Sequence, residues 1–343
     1  MCSFMELQRP ASQKRRGAAL RSPSAIRRSW LSPLQCWRER KARCAVTELD
    51  GVLQYETEDL SRIPPRRQGA NKGSYGQVLI IAGSVGMSGA AYLSALAAYR
   101  TGAGLVRILT PEANRSILQI QLPEAIISSY HPEDITEKRD SWMKQLSELM
   151  EWSSVVVLGP GLGRAGYVKS LVEDVLQTAF VPLIVDADGL NTIAEYPYLT
   201  GFYTENFILT PHIREMSRLT GKPEEELLCD SLRAATEYRD TYGVSCCLKS
   251  EHSVIAAVDG KLYRTVSGTP ALAKAGSGDV LTGIIAGLYC LGMEESEAAA
   301  FGSFLHGLAG RRAAERCSAH GVLAREIADA VPAVMRAVPG ISI

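Results

Sequence analysis

The sequence predicts an α/β fold in which a mostly parallel sheet carries helices on both faces. Short apolar runs rich in β-branched residues alternate along the chain with longer segments of helical character, a pattern typical of parallel sheets. Glycines and acidic residues follow the ends of several of these runs, where such sheets bind their ligands. With 343 residues, of which 46% are hydrophobic and 22% charged, the chain is long enough and apolar enough for a large core.

The charge distribution separates the first 45 residues from the rest of the chain. Residues 1–45 contain 11 Lys and Arg but only two acids, whereas residues 46–343 carry an excess of nine acids. An Arg-rich, acid-poor start is typical of an organelle-targeting segment, of a disordered tail, or of translation from an upstream start codon. We predict a disordered basic extension over 1–45 and a single domain over 46–343. The acidic body does not favour nucleic-acid binding.

The elements of the domain follow one another from residue 46 onward. Residues 46–72 are polar and end in PPRRQGANKG, which indicates a linker into the core. A buried strand is predicted at 77–83, followed by an Ala-rich helix at 88–102 that ends at a glycine. A further strand is predicted at 104–111. Three later stretches are each predicted to begin with a strand: 154–163 continues into a glycine loop, 181–191 into an acidic loop, and 207–221 into a turn and a helix.

The remaining elements complete the sheet and add helices. Strands joined by an Asp259-Gly260 hairpin are predicted within 245–266. The uncharged run 73–99 is long enough to span a bilayer, but GSVGMSG interrupts it, which favours a strand, a loop and a helix. We therefore predict no membrane span, no export signal and a cytoplasmic protein. Helices are predicted at 224–241, 279–291, 295–318 and 322–336.

The stretch GSGDVLTG, residues 276–283, predicts an anion site at the start of a helix. The apolar residues that follow fall on one helical face, so Gly278 and Asp279 lie at the helix N-terminus. Free N–H groups and the helix dipole attract anions there, and glycine lets a phosphate approach the backbone. Asp279 fits two roles equally: a helix cap, or a base for a hydroxyl that attacks the phosphate. The dipole is expected to keep Asp279 ionised.

Other strand ends carry weaker signals. Neither AGSVGMSGAA at 82–91 nor GPGLG at 159–163 has the spacing of a dinucleotide fingerprint or the Lys of a Walker loop, so each fits a tight turn as well as a ligand site. His212 and Glu215 lie one helical turn apart and suit a structural or a site role. DADGLN at 186–191 suits Mg²⁺, ribose or a plain loop. Lys249 suits a phosphate contact or the surface.

In combination, these motifs resemble the ADP/ATP-dependent NAD(P)H-hydrate dehydratases of the ribokinase-like superfamily. The resemblance runs from about Lys72 to the C-terminus through KGSYGQVLIIAGSVGMSGAAYLSA, GPGLG, VDADGLN, LTPHIREMSRLTG, LKSEHSVIA and GTPALAKAGSGDVLTGIIAGL. It implies a ribokinase-like three-layer sandwich. The motifs TPH and GSGDVLTG are similar to those of the bacterial, ADP-dependent branch. One departure is TPHIRE, where the family often has TPHPGE, so Arg214 adds bulk and charge beside His212.

The resemblance also implies roles for residues of the predicted site. Asp279 is implied to face the substrate and to act as the base. The hydrated nicotinamide nucleotide is implied to contact Ala90, Gly161 and His212 as well. No residue is assigned to a metal. The residues implied to bind the adenine nucleotide form two groups: Lys249, Ser250, Glu251, His252 and Ser253, and Gly276, Ser277 and Gly278.

The activity that the resemblance implies is the nucleotide-dependent dehydration of the S-epimer of hydrated NADH or NADPH. ADP or ATP is the co-substrate, Mg²⁺ bridges its phosphates, and the reaction with ADP restores NAD(P)H with release of AMP and phosphate. The resemblance further implies a homo-oligomer, a tetramer. Two other functions stay open: a ribokinase-like kinase that phosphorylates a vitamin precursor, and a nucleotide-binding regulatory module without turnover.

Overall fold

The computed structural model describes residues 51–336, and the predicted extension over 1–45 lies outside the described residues. Within this range the strands form one ten-stranded sheet. They are β1 (Val52–Leu53), β2 (Gln77–Ile81), β3 (Leu105–Pro111), β4 (Ile126–Tyr130), β5 (Val155–Leu158), β6 (Leu183–Val185), β7 (Phe207–Leu209), β8 (Ser245–Leu248), β9 (Val254–Ala256) and β10 (Leu262–Arg264).

The sheet is mostly parallel, as predicted. Its strand order is β1-β10-β9-β8-β7-β6-β5-β2-β3-β4, and the seven strands from β8 to β4 all run parallel. β9 is antiparallel to both β8 and β10, and the predicted Asp259-Gly260 hairpin joins β9 to β10 with Ala256 opposite Leu262. Because the parallel strands end at one edge of the sheet, the residues that follow them come together there.

Helices cover both faces of the sheet. In the described range the helices are α1 (Ser88–Thr101), α2 (Arg115–Gln121), α3 (Pro132–Thr136), α4 (Arg139–Trp152), α5 (Gly166–Thr178), α6 (Ala187–Glu195), α7 (Ile213–Thr220), α8 (Glu224–Cys229), α9 (Ser231–Tyr242), α10 (Ser277–Cys290), α11 (Glu295–Gly321) and α12 (Ala324–Arg336). One face of the sheet shares a core with α1, α10, α11 and α12, and the other face shares a second core with α4 to α7 and α9. This three-layer arrangement confirms the predicted fold class.

Alternate residues of the parallel strands enter opposite cores, because successive side chains of a strand point to opposite faces. Ile80 of β2 and Val157 of β5 are register partners in the core shared with α1 and α10. Leu79 and Val156 are the adjacent partners and enter the other core. All four side chains are fully buried, which explains why these strands are continuous apolar runs in the sequence.

Close packing against α1 holds the start of α10 in position. A Cβ at Gly283 would lie 2.1 Å from the carbonyl oxygen of Ser94, so only glycine permits this approach of the two helices. The Ser94 hydroxyl donates to the carbonyl of Asp279 at 2.9 Å and lies 3.1 Å from the Thr282 hydroxyl. These contacts hold the first turn of α10 at the edge where the parallel strands end.

The segment 46–72 was predicted as a linker, and this prediction is wrong for the part that the structure describes. It contains β1, and it buries Tyr55 in the core. The Tyr55 ring stacks on Tyr263 of β10 with ring centroids 5.6 Å apart, and it meets the edge of Phe301 at 5.0 Å. Most residues of this segment are polar, so the few apolar residues that pack against the end of the sheet were not recognised in the sequence.

Two other boundaries differ from the predictions. α6 begins at Ala187, directly after Asp186, so the predicted acidic loop is the first turn of a helix. The predicted helix over 224–241 is divided between α8 and α9, because Asp230 leaves the helical conformation and accepts a hydrogen bond from the Arg233 N–H at 3.0 Å. Over residues 51–336, none of the helices combines the length and the apolar character that crossing a bilayer requires.

Candidate active site

The ends of β6 and β8 bring a carboxylate and an ammonium group together. Asp186 follows β6 and is almost completely buried, and Lys249 follows β8. Lys249 Nζ lies 2.5 Å from Asp186 Oδ1 and 3.9 Å from Glu215 Oε2. Burial opposes the charge on this lysine, but the two carboxylates outweigh it, so the pKa of Lys249 is raised. Lys249 is therefore a charged, largely buried residue and not a surface lysine.

A tight turn precedes α10. Gly276 adopts φ +88° and ψ −10°, a left-handed conformation that favours glycine. The turn is closed by the Ser277 N–H, which donates to the Lys274 carbonyl at 3.2 Å. The Ser277 N–H is thus already engaged within the protein. Any backbone donation to a ligand at this helix start has to come from its neighbours.

The next residues of α10 lie beside the ion pair. A Cβ at Gly278 would lie 3.3 Å from Asp186 Oδ2 and 3.4 Å from Lys249 Nζ, so the backbone passes directly over both groups. Within residues 51–336, the N–H groups of Gly278 and Asp279 donate to no acceptor. Free N–H groups at a helix N-terminus, next to a lysine, form a site that suits an anion.

Asp279 occupies the third position of α10 and does not cap the helix. The cap position is Gly276, and no hydrogen bond to the Asp279 carboxylate occurs in the part of the chain that the structure describes. Burial raises the pKa of Asp279 to about 6; Asp186 and Asp188 act in the same direction, and Lys249 opposes them. At a pKa of about 6, most of the Asp279 carboxyl is still ionised at neutral pH, as expected. A carboxylate without a protein partner and with a raised pKa is suited to accept a proton.

His212 and Glu215 form a capping box at the start of α7. The His212 N–H donates to Glu215 Oε2 at 2.8 Å, and His212 Nδ1 accepts from the N–H groups of Arg214 and Glu215 at 3.1 and 3.2 Å. Burial lowers the pKa of His212, and Lys249 lowers it further, while burial raises the pKa of Glu215. The Arg214 side chain is 74% exposed and lies 3.8 Å from Glu224, so its bulk and charge are on the surface.

The two glycine loops lie against each other. A Cβ at Gly161 would lie 2.8 Å from the Cβ of Ala90. The Gly163 N–H donates to Asp188 Oδ2 at 2.8 Å, which joins the second glycine loop to the first turn of α6. The structure therefore brings Ala90 and Gly161 together at the same sheet edge as Asp186. These loops and acids come from three different strand ends, those of β2, β5 and β6.

The turn between β8 and β9 is closed by its own hydrogen bonds. The Ser250 N–H donates to Ser253 Oγ at 3.2 Å, and the Ser250 hydroxyl donates to the His252 carbonyl at 2.8 Å. The turn packs against Gly268, where a Cβ would lie 2.0 Å from the Glu251 carbonyl oxygen. This turn follows Lys249 directly, and the two predicted groups of nucleotide contacts approach each other at Lys249 and Gly278.

One polar residue next to the site was missed in the sequence. His306 of α11 is 7% exposed, and its Nε2 lies 3.1 Å from the Ser277 hydroxyl. Burial lowers the pKa of His306 to about 4, so the imidazole is neutral at neutral pH. The one available signal was the small residues around it. A Cβ at Gly307 would lie 2.1 Å from Ser267 Oγ, so small residues here indicate close packing of the helix. They do not indicate that His306 contacts the site.

The acids at this edge do not form a metal cage. Among residues 51–336, no group of three or more His, Cys, Asp or Glu side chains is arranged to hold a metal ion. The Asp186 carboxylate accepts a hydrogen bond from Lys249. The Asp188 carboxylate accepts one from the Gly163 N–H and has further lone pairs that can bind a cation. Mg²⁺ commonly binds one or two carboxylates together with phosphate oxygens and water. The residues therefore fit Mg²⁺ that arrives with a nucleotide.

Comparison with known proteins points to one family. Residues 78–333 match the family model described as NAD(P)H-hydrate dehydratase. The chain is 36% identical over 275 residues to the ADP-dependent (S)-NAD(P)H-hydrate dehydratase of Bacillus subtilis, which covers 80% of this chain and 94% of the relative. It is 38% identical to a bifunctional NAD(P)H-hydrate repair enzyme of Thermofilum pendens, over 84% of this chain and 55% of the relative. The chain thus spans about half the length of that bifunctional relative.

Solved structures agree with the sequence comparison. The ADP/ATP-dependent NAD(P)H-hydrate dehydratase from Bacillus subtilis, co-crystallized with ATP and Mg²⁺, matches with a TM-score of 0.70 and 32% identity, over 83% of this chain and 98% of that chain. A ribokinase-like superfamily protein from Enterococcus faecalis matches with a TM-score of 0.73 and 26% identity, over 85% and 98%. A hydroxyethylthiazole kinase from Pyrococcus horikoshii, 15% identical with a TM-score of 0.52 over 82% and 95%, shares the fold.

Proposed function

The chain belongs to the NAD(P)H-hydrate dehydratase family, and we propose that it dehydrates the S-epimer of hydrated NADH or NADPH at the expense of ADP or ATP. The proposal assigns this hydro-lyase activity to one domain over 46–343. The observation that carries it is the Asp279 carboxylate. Within the described residues this carboxylate has no hydrogen-bond partner, its pKa is raised to about 6, and it lies beside free N–H groups at the start of α10.

The first step activates the hydroxyl of the hydrated ring. Hydroxide is a poor leaving group and phosphate is a good one, so the hydroxyl is phosphorylated before it leaves. Asp279 accepts the hydroxyl proton while the oxygen attacks the terminal phosphoryl group and the bond to the rest of the nucleotide breaks. With ADP the product of this cleavage is AMP. The N–H groups of Gly278 and Asp279 stabilise the negative charge on the transferring group.

The second step restores the nicotinamide. The lone pair of the ring nitrogen expels phosphate as the C–O bond breaks, and the neighbouring ring carbon then loses a proton to form the double bond. Ala90, Gly161 and His212 are the proposed contacts of the hydrated nicotinamide nucleotide. The contact between the loops of Ala90 and Gly161, and their link to the acids through Asp188, support this assignment.

The adenine nucleotide is proposed to bind along Lys249–Ser253 and Gly276–Gly278. The buried ammonium group of Lys249 next to Gly278 supports an anionic ligand at this point. Mg²⁺ neutralises the phosphates when it is bound. Asp188 is the proposed protein ligand of the ion, since Asp186 is already paired with Lys249.

A ribokinase-like kinase is the alternative, and it would stop at a stable phosphoester. Similarity to a dehydratase over 94% of that relative's length favours dehydration, because the hydroxyethylthiazole kinase shares only the fold. The test is to incubate the protein with Mg²⁺, hydrated NADH and either ADP or ATP, and to separate the products. We expect NADH, phosphate and AMP in equal amounts with ADP. An accumulating phosphorylated hydrate, or unchanged hydrate from folded protein that binds ADP, would contradict the proposal.

We also propose that the protein forms a homo-oligomer, specifically a tetramer, and that it is located in the cytoplasm. Support for assembly comes from the β4 edge of the sheet. Ile126 at the start of β4 is exposed, and so are Ile117 and Ile120, which lie one turn apart on α2; Ile120 is 82% exposed. Exposed apolar side chains beside an edge strand are typical of surfaces that bind another chain.

A further inference from the structure

We propose that His306 is a positioning residue, which acts through Ser277 to fix the direction of the backbone N–H groups at the start of α10. The inference rests on the proposed function, in which the N–H groups of Gly278 and Asp279 stabilise the charge on the transferring phosphoryl group. The proposed mechanism does not otherwise use His306, although this histidine is buried beside the site. A buried polar side chain at this point needs a physical reason, because burial of a polar group is costly.

The contact between His306 and Ser277 is direct and buried. Ser277 is 5% exposed, and its hydroxyl lies 3.1 Å from His306 Nε2. The Ser277 N–H donates to the Lys274 carbonyl, so the main chain and the side chain of this serine are both held by the protein. The peptide group that follows Ser277 contains the Gly278 N–H, and a peptide group is planar. Holding Ser277 therefore fixes the direction in which this N–H points.

Close packing of α11 places the imidazole at this contact. A Cβ at Gly302 would lie 2.8 Å from Ile285 Cγ1 of α10, and a Cβ at Gly307 would lie 2.1 Å from Ser267 Oγ. α11 is thus pressed against α10 on one side of His306 and against the segment that leads to the site on the other. The position of the imidazole is therefore determined by two packing contacts of its own helix.

The imidazole is neutral, which suits a contact beside a phosphate site. Burial lowers the pKa of His306 to about 4, and Lys249 acts in the same direction, whereas a hydrogen bond with the Ser277 main chain opposes both. A neutral imidazole has one N–H donor and one acceptor nitrogen. It can therefore hold the Ser277 hydroxyl without adding a charge that would compete with Lys249 for the phosphate.

The same turn of α10 is also held from α1. The Ser94 hydroxyl donates to the Asp279 carbonyl at 2.9 Å, so α1 and α11 each contribute one side chain to the first turn of α10. Donors that are held in place before the reaction stabilise transition-state charge without reorganising. A small displacement of this turn is therefore expected to lower kcat more than it weakens the binding of substrates.

A set of variants at positions 306 and 277 tests this role. With ADP and hydrated NADH, we expect His306→Leu to lower kcat about 100-fold, the loss typical of a small misplacement. KM for the hydrate and the affinity for ADP should stay close to those of the wild type. His306→Gln places an amide near the position of Nε2 and should recover most of the rate. Ser277→Ala should reproduce the loss, and the double variant should be no slower than either single variant.

Ser303→Ala is the matched control for a purely structural effect. Ser303 is also on α11, is 7% exposed like His306, and its hydroxyl lies 3.2 Å from Cys247 Sγ. Its loss should lower the melting temperature but leave kcat unchanged. Equal losses of kcat in His306→Leu and Ser303→Ala, or a rate of His306→Gln as low as that of His306→Leu, would overturn the proposal. Additive losses from Ser277→Ala and His306→Leu would do so as well.

Binding of a phosphoryl mimic gives a readout that does not need turnover. Aluminium fluoride is a planar mimic of the transferring group, so the wild type with Mg²⁺ and NADH should bind AMP more tightly when aluminium fluoride is present. His306→Leu should lose this gain and bind AMP alone as the wild type does. A gain that is absent from the wild type, or unchanged in His306→Leu, would contradict the positioning role. If the gain depends on His306 but hydrated NADH is not dehydrated, the proposed function fails and the positioning role stands.

Discussion

Lys249 and Asp186 form a buried ion pair between the ends of β8 and β6, with Nζ 2.5 Å from Oδ1. The two side chains are 18% and 2% exposed, and a Cβ at Gly278 would lie 3.4 and 3.3 Å from their charged atoms. The pair therefore joins two strand ends, separated by β7, to the start of α10. It places a positive charge where the proposed mechanism binds phosphate.

Removing one partner of this pair is expected to destabilise the protein. Lys249→Met leaves Asp186 buried without its partner, so the free energy of unfolding in a urea titration should fall by about 3–5 kcal/mol. Lys249→Met combined with Asp186→Asn should recover much of this loss but not ADP binding. Lys144→Met, at an exposed position, is the control and should change stability by less than about 0.5 kcal/mol. An equally small effect of Lys249→Met would contradict a structural role of the pair.

Activity is expected to fall in acid as Asp279 takes up a proton. Its pKa is raised by burial to about 6, and a general base has to be unprotonated in the free enzyme. The profile of kcat/KM against pH should therefore fall below pH about 6. A profile that is flat through this region, with the protein folded, would show that Asp279 is not the base.

The free energy of unfolding should also depend on the protonation of Asp279. Acid lowers the activity, but it should increase this group's contribution to stability. Because the pKa of Asp279 is about 6 in the folded protein and 3.8 without the fold, its stabilising contribution is present below pH about 4 and is lost as pH rises through about 6. Asp279→Asn cannot ionise and should therefore be more stable than the wild type at neutral pH, by roughly 3 kcal/mol, with little difference in acid. Thermal unfolding across this pH range measures the difference, and the absence of a pH-dependent gap would contradict it.

A methyl group at position 276 should affect the site, whereas the same change at 260 should not. Gly276 and Gly260 both have φ +88°, so alanine at either position costs roughly 1–2 kcal/mol of backbone strain. A Cβ at Gly276 would also lie 2.4 Å from Leu93 Cδ1, whereas nothing lies within 4 Å at Gly260. Calorimetric titration with ADP should show weaker binding for Gly276→Ala only. Equal ADP affinity in the two variants would show that the turn at Gly276 does not contribute to nucleotide binding.

The exposed isoleucines of α2 are expected to hold protomers together. Ile120→Lys should reduce the molar mass measured by light scattering after size exclusion, because burial of a lysine in an apolar contact is unfavourable. Leu228→Lys changes another exposed apolar residue, on α8, and serves as the control. A wild-type protein that is monomeric at high concentration would contradict the assembly, and an unchanged oligomer of Ile120→Lys would exclude this surface.

The fold was predictable because its signals are local. The buried runs of β2 and β5, and the Ala-rich α1 with its glycine stop, each occupy one short stretch of sequence. Asp279 was placed correctly at a helix start for the same reason, since the helical face begins directly after it. Its raised pKa was not predictable, because burial is created by elements that are distant in the sequence.

The contacts that complete the site join residues far apart in the chain. Asp186 and Lys249 are 63 residues apart, and Ser277 and His306 are 29 apart. Asp186 and Lys249 were each compatible with several roles in their own stretch of sequence, and His306 was not predicted at all. Only the order of the strands and the approach of α11 to α10 select the partner, and neither is specified by composition or periodicity.

The account depends most directly on Asp279 as the base of a nucleotide-dependent dehydration. The decisive measurement is the near-ultraviolet absorbance of reduced nicotinamide during incubation of hydrated NADH, Mg²⁺ and ADP or ATP with the wild type and with Asp279→Asn. Asp140→Asn, an exposed aspartate of α4, is the control. We predict a nucleotide-dependent rise in absorbance that Asp279→Asn slows by about 10²–10⁴-fold while ADP binding is retained. An unchanged rate in Asp279→Asn, or no rise from wild-type protein that binds ADP, would contradict the account.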